Sequence, residues 1–191
     1  MTAPTSQYLA NTVSLSCTAS TGTEPITLAE AKLYLRVDTD DDDNLISAMI
    51  TGARAAAEGR THRVLTQTTW QWVASEIKGT VQVPLTPCTA CTDIKVNGES
   101  VDPALYVFVP GGIGAPLFAQ ITALDGFPEG AATVTLTCGY AQVPEDIRRW
   151  IYVRLGDAYE QRESFAVGSN FHEFSREFID SLLDPYLIPN C

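Results

Sequence analysis

The chain has 191 residues, 45% of them hydrophobic, enough to bury one ordinary core or one core carrying a small excursion. Its 12 Lys and Arg against 23 Asp and Glu leave a formal net charge of −11, which opposes phosphate neutralisation as a way of holding nucleic acid. No stretch approaches the roughly 20 apolar residues that span a bilayer, the N-terminus has neither a basic start nor an apolar run, and five scattered cysteines make no disulfide framework; a soluble, cytosol-made protein with reduced thiols and no membrane partner is expected.

Residues 1–25 contain six Thr, four Ser and one charge, Glu24, without a periodicity that persists, and read as an N-terminal arm rather than a core element. Thr27 followed by Glu30 is a capping box, and Leu28, Ala31, Leu33 and Leu35 supply an apolar side to a short helix ending near Val37. After an acidic turn over 38–43, a second helix is predicted from Asn44 to about Arg60, with Leu45, Ile46, Met49, Ile50, Ala53, Ala56 and Ala57 at helical spacing. The two form an antiparallel pair.

From Val64 to Tyr140 the period becomes two, with strands predicted at 68–74, 80–83, 92–96, 105–109, 117–122 and 132–138 between turn signals such as Asn97-Gly98 and Asp102-Pro103. Pro144, Glu145 and Asp146 open a third helix, striped by Ile147, Trp150, Ile151, Leu155, Ala158 and Tyr159 and ending near Ser164. A hinge at 166–170 contains Gly168, and a last helix begins at Asn170 and stops before Asp184-Pro185. The fold class is thus α+β: a small helical bundle (26–63 and 144–168) with an inserted antiparallel β-region (64–143) and extended N- and C-terminal arms (1–25 and 169–191).

Motifs for chemistry do not mature. Counting from Asp38, the acidic run has Asp43 where a calcium loop needs Gly and Met49 where it needs Glu, so it reads as an N-cap and dipole-complementing turn. Cys88 and Cys91 form a lone CxxC without a second ligand pair, and neither His62 nor His172 has a companion at ligand spacing; these are loop thiols, with an opportunistic disulfide as the alternative. Gly111, Gly112 and Gly114 lack the Lys and Ser or Thr of a phosphate loop and suit a hairpin turn. No catalytic residue, metal site or cofactor is expected, and no enzyme.

The sharpest signal is the last helix. Phe171, Phe174, Phe178 and Leu182 recur at helical spacing, Ile179 and Leu183 widen the strip, and Pro185 and Tyr186 continue it. So much apolar area at a chain end, after a glycine hinge, suits docking on another polypeptide; folding back on its own core is the plainer alternative.

Four pieces in this order resemble the head-tail connector, or neck adaptor, proteins of tailed phages and gene transfer agents. They are Ile26-Thr27-Leu28-Ala29-Glu30-Ala31-Lys32 through Val37-Asp38 with Asn44-Leu45-Ile46; Arg60-Thr61 with Leu65-Thr66-Gln67-Thr68 before a Trp-bearing strand; Val134 to Tyr140 through Val143-Pro144-Glu145-Asp146-Ile147-Arg148 to Tyr159-Glu160-Gln161-Arg162-Glu163; and Leu182-Leu183-Asp184-Pro185-Tyr186. The resemblance implies a homo-oligomeric, dodecameric ring in the virion neck beneath the portal protein, made in the host cytoplasm, meeting stopper and tail-terminator proteins on its far side and letting DNA pass its lumen without specific binding. Carried onto this chain, the portal-docking residues are Phe171, Phe174, Phe178, Leu182, Leu183, Pro185 and Tyr186. The competing reading is a β-rich carbohydrate- or host-binding module of a virion, from Trp70, Trp72, Tyr106 and Phe108 on strands.

Overall fold

A computed structural model describes residues 12–20, 22–112, 116–160 and 179–188. The fold is α+β, and the chain divides into two compact units: residues 23–65 with 142–187, and residues 1–22 with 66–141 and 188–191. None of the described helices is long and apolar enough to cross a membrane.

The first unit is helical. Helix α1 (Leu28–Leu35) starts at the predicted capping box: Thr27 N–H donates to Glu30 Oε2 at 2.7 Å and Glu30 N–H to Thr27 Oγ1 at 3.2 Å. It closes when Arg36 turns left-handed (φ 58°) and Val37 N–H reaches back to Lys32 O at 3.0 Å. Ala31 is buried, but Leu33 is 82% exposed. The expected apolar side therefore fails at Leu33, because a step of two residues turns the helix by about 200° and sets Leu33 opposite Ala31.

Helix α2 (Asp43–Thr61) buries Ile46, Ile50, Ala57 and Thr61, and α3 (Glu145–Glu160) buries Ile147, Trp150, Ile151 and Leu155. The three helices pack on one another. Ala158, expected on the apolar stripe of α3, is exposed. Asp42 holds the N-cap position of α2 without capping it; its Oδ2 accepts the Tyr159 hydroxyl at 2.8 Å. Asp40 and Asp43 instead receive Lys32 Nζ at 2.6 and 2.7 Å, so the acidic turn is held by the lysine of α1 rather than by capping.

The second unit contains two antiparallel sheets. Strands β1 (Thr12–Ser20), β2 (Thr68–Ala74), β4 (Cys88–Val96), β5 (Glu99–Ser100) and β8 (Ala132–Cys138) form one in the order β1-β2-β8-β4-β5. Strands β3 (Thr80–Gln82), β6 (Tyr106–Val109) and β7 (Gln120–Ala123) form the other in the order β3-β7-β6. The centre of the larger sheet follows strict alternation: β8 buries Ala132, Val134, Leu136 and Cys138 and leaves its threonines half-exposed, and Trp72 faces Val134 from β2. Asn97 and Gly98, both with positive φ, make the tight β4–β5 turn.

Three expectations change here. The N-terminal arm is a strand in its second half: β1 pairs with β2 from Thr12↔Ala74 to Ser20↔Thr68. Its residues 12–20 do alternate hydroxyl and apolar side chains, a strand signal that the Ser/Thr-rich composition obscures. Strand β4 begins at Cys88 rather than at residue 92, so Cys88 and Cys91 lie in a sheet and not in a loop. Two bulges, at Thr89 and Thr92, break the alternation that would have extended the strand backwards; both hydroxyls bond carbonyls of β8. The final helix, where described, is α-helical at Ile179 and Asp180 and then continues as a 3-10 segment (Ser181–Tyr186) that runs through Pro185 rather than stopping before Asp184-Pro185.

Candidate functional site

In the helical unit, pieces of sequence more than a hundred residues apart meet on one arginine. Arg148, in the first turns of α3, donates through Nε to Pro25 O (3.0 Å), through Nη2 to Glu30 Oε1 (2.8 Å) and through Nη1 to Glu145 Oε2 (3.1 Å). Glu30 is thus both the capping residue of α1 and the carboxylate that ties α1 to α3. Its carboxyl is held below the usual range, first by the Thr27 N–H and hydroxyl and then by Arg148.

The described residues of this unit resume at residue 179. Asp180 is the anchor: its carboxylate accepts Trp150 Nε1 at 3.0 Å and Arg154 Nη2 at 3.1 Å, and pairs with Arg60 Nη2 at 2.9 Å. Burial alone would raise its pKa, but the Trp150 hydrogen bond and the charges of Arg60 and Arg154 outweigh burial and lower it. Further along, Arg63 Nε donates to Tyr186 O at 2.7 Å, and the Tyr186 hydroxyl to Asp146 Oδ2 at 3.3 Å. Ile179, Leu183 and Tyr186 fill the apolar side of this return, at 9%, 1% and 9% exposure.

A groove of about 650 Å³ lies between the end of α1 and α3, and both Glu160 and Ile179 line it. Tyr34, Val153 and Leu182 give it apolar walls, with Arg36 and Arg149 at its edges. Tyr34 packs against Tyr152, the rings tilted by 34° with centroids 5.1 Å apart. Beside it on α1, Leu33 is exposed.

Of the expected docking residues, Phe171, Phe174 and Phe178 lie outside the described residues. Leu182 is half-exposed on the groove and Pro185 is exposed, whereas Leu183 and Tyr186 are buried in their own unit. The seven therefore do not share one free surface. Sequence reading missed Asp180 and its three partners; at helical spacing Asp180 falls with Glu177 and Asp184, off the apolar strip, so no local signal marks it. On the β side, Trp72 is 1% exposed and its indole N–H is bonded to Thr12 Oγ1 at 2.9 Å, while Trp70, Tyr106 and Phe108 are half-buried. Of these four aromatics, only Trp72 is withdrawn from solvent. Among the described residues no cluster of three or more His, Cys, Asp or Glu could hold a metal ion.

Residues 25–99 match the family model of the phage gp6-like head-tail connector protein. Three solved structures match almost end to end. A chain from the neck of an empty GTA particle computed with C6 symmetry has a TM-score of 0.70 and 21% identity, covering 94% of this chain and 97% of that one. A chain from the virion of a native gene transfer agent (GTA) particle has a TM-score of 0.69 and 20% identity, covering 93% and 96%. A chain from the neck of a native GTA particle computed with C12 symmetry has a TM-score of 0.66 and 18% identity, covering 94% and 97%. No curated protein matches the sequence. At these identities the structural likeness is one of fold. The first two of the four sequence pieces fall inside residues 25–99, where this chain is similar to the phage gp6-like head-tail connector family, and its fold is similar to that of chains from GTA necks.

Proposed function

We propose that this chain is a structural subunit of a virion neck, a head-tail connector that assembles as a dodecameric ring beneath the portal and links it to stopper and tail proteins. The family match over 25–99 and the likeness to neck chains support the connector role, and the C6 and C12 symmetry of those necks supports a ring. A ring subunit needs two different complementary faces, which a single chain of this size can supply without enzymatic machinery. The net charge of −11 favours a lumen through which DNA slides, since an acidic wall offers phosphates no counterion-release affinity.

Docking on the portal is assigned to Phe171, Phe174, Phe178, Leu182, Leu183, Pro185 and Tyr186, of which Leu183 and Tyr186 are buried and so contribute by holding the segment in place. The carrying observation is the anchored return. Asp180 and Arg63 fix residues 179–187 to the helical unit, and Ile179 and Leu182 line one groove with Glu160. Deleting residues 170–191 would also remove buried Leu183, so substitution is the cleaner test. Phe171, Phe174 and Phe178 are changed together to Ser and binding to the portal protein of the same virion is measured. A loss of about tenfold or more with unchanged circular dichroism is expected; binding within about twofold of the parent overturns the assignment. Electron microscopy of the assembled neck tests the rest, and density for this chain anywhere but in a ring below the portal removes the connector reading.

A further inference from the structure

The described residues include four free thiols, Cys17, Cys88, Cys91 and Cys138. Two of them face each other: Cys88 opens β4 directly opposite Cys138, which closes β8. Gly139 N–H donates to Pro87 O at 2.9 Å, while the N–H and the carbonyl of Cys88 both turn away to Gly111, at 3.0 Å each. That pattern makes Cys88 and Cys138 a non-hydrogen-bonded pair, the antiparallel position at which facing Cα atoms are about 4.5 Å apart. A disulfide asks for about 4.4–6.8 Å. Both side chains are fully buried at 0% exposure, on the face that also buries Leu136. The backbone around them is tightly held, for a Cβ on Gly139 would collide with the Thr66 carbonyl and one on Gly111 with the backbone of Ala119.

We propose that Cys88 and Cys138 are a dithiol site that closes to a cross-strand disulfide when the chain meets a two-electron oxidant. The CxxC spacing suggests Cys91 as the partner of Cys88, but the bulge at Thr89 places Cys91 opposite Leu136, two pairs further along. Same-face neighbours along a strand stand about 7 Å apart, further than a facing pair. In closure two S–H bonds break and one S–S bond forms; the two hydrogens and their electrons pass to the oxidant, here the N=N bond of diamide, which becomes a hydrazine. The hydrogen bond of Cys138 to Cys88, followed by burial, holds the Cys138 thiol well above its ordinary range. Because the thiolate is the reactive form, burial of the pair and the raised Cys138 thiol make closure slow and call for a small uncharged oxidant such as diamide.

The test treats the folded full-length chain with diamide, then unfolds it, alkylates free thiols and maps the peptides without reduction. Three of the five cysteines are expected to take the alkylating group, with one intramolecular link joining the Cys88 and Cys138 peptides. The same link should form in a chain carrying Cys17→Ser and Cys91→Ser, both outside the pair. A link from Cys88 to Cys91, a link between chains, or full alkylation of Cys88 and Cys138 after the treatment overturns the proposal.

Discussion

Two segments that read from sequence as arms are held in opposite ways. Strand β1 (Thr12–Ser20) is attached through backbone: it pairs with β2 along its length, yet Val13 is 66% exposed and most of its side chains face solvent. The segment over residues 179–188 has little regular ladder and is attached through side chains, by buried Leu183 and Tyr186 and by the carboxylate of Asp180. Backbone pairing tolerates almost any uncharged sequence, so β1 left a faint trace in its residue types. Side-chain anchoring demands particular residues, so the terminal segment left a strong apolar trace, but that trace alone does not say whose core it enters.

The comparison predicts where point changes hurt. Leu183→Ala should have the largest effect, about 2–5 kcal/mol, because it empties a site buried to 1% exposure. Urea unfolding should register the loss, and hydrogen exchange should place it in residues 179–188. An effect below about 1 kcal/mol would mean that the return is held by something other than apolar burial.

Asp180→Ala comes next, at about 2–3 kcal/mol, since it leaves the buried indole N–H of Trp150 without its acceptor and two arginines without their shared carboxylate. Acid should mimic it. The folded pKa of Asp180 is lowered, so its contribution is present in full above the unfolded value of about 3.9 and is lost as pH falls through the folded one. Exchange protection of residues 179–188 should fall over that acid window in the parent chain and be insensitive to it in Asp180→Ala. A parent segment whose protection ignores the window would exclude Asp180 as the anchor.

What was legible follows the same division between backbone and side-chain logic. The capping box of Thr27 and Glu30, the alternation of β8 and the stripe of Ile147, Trp150, Ile151 and Leu155 are local patterns, and each sits where its period predicts. Helix α2 runs from Asp43 to Thr61, one residue longer at each end than its apolar pattern suggests. Local patterns fail where geometry interrupts the period, as at the two bulges that hid the start of β4, or where a period is too short to orient a helix, as at Leu33. The long-range partners could not be read at all. Glu30 with Arg148, Asp42 with Tyr159 and Asp180 with Arg60 are fixed only once the helices pack, and nothing in either member of a pair names the other.

On the β side, Thr12→Val should cost about 1 kcal/mol, because Thr12 Oγ1 is the acceptor for the indole of Trp72, which is 1% exposed. Near-ultraviolet circular dichroism of the tryptophans should change with it, whereas an unchanged spectrum and stability would show that the indole finds another acceptor.

The smallest effect tests the comparison most directly. Val13→Ala removes two methyl groups from a position already 66% exposed, at a register shift in the β1–β2 ladder, and leaves the backbone pairing untouched. If β1 is held by its backbone, this change should stay within about 0.5 kcal/mol and leave the amide protection of residues 12–20 as it was. The slight loss of β propensity on going from Val to Ala works against that outcome, which makes a null result informative. A cost above about 1 kcal/mol, or exchange of the β1 amides without loss of protection in β2 and β8, would mean that β1 is fastened by side chains after all. The two arms would then differ only in how well their contacts are hidden from solvent.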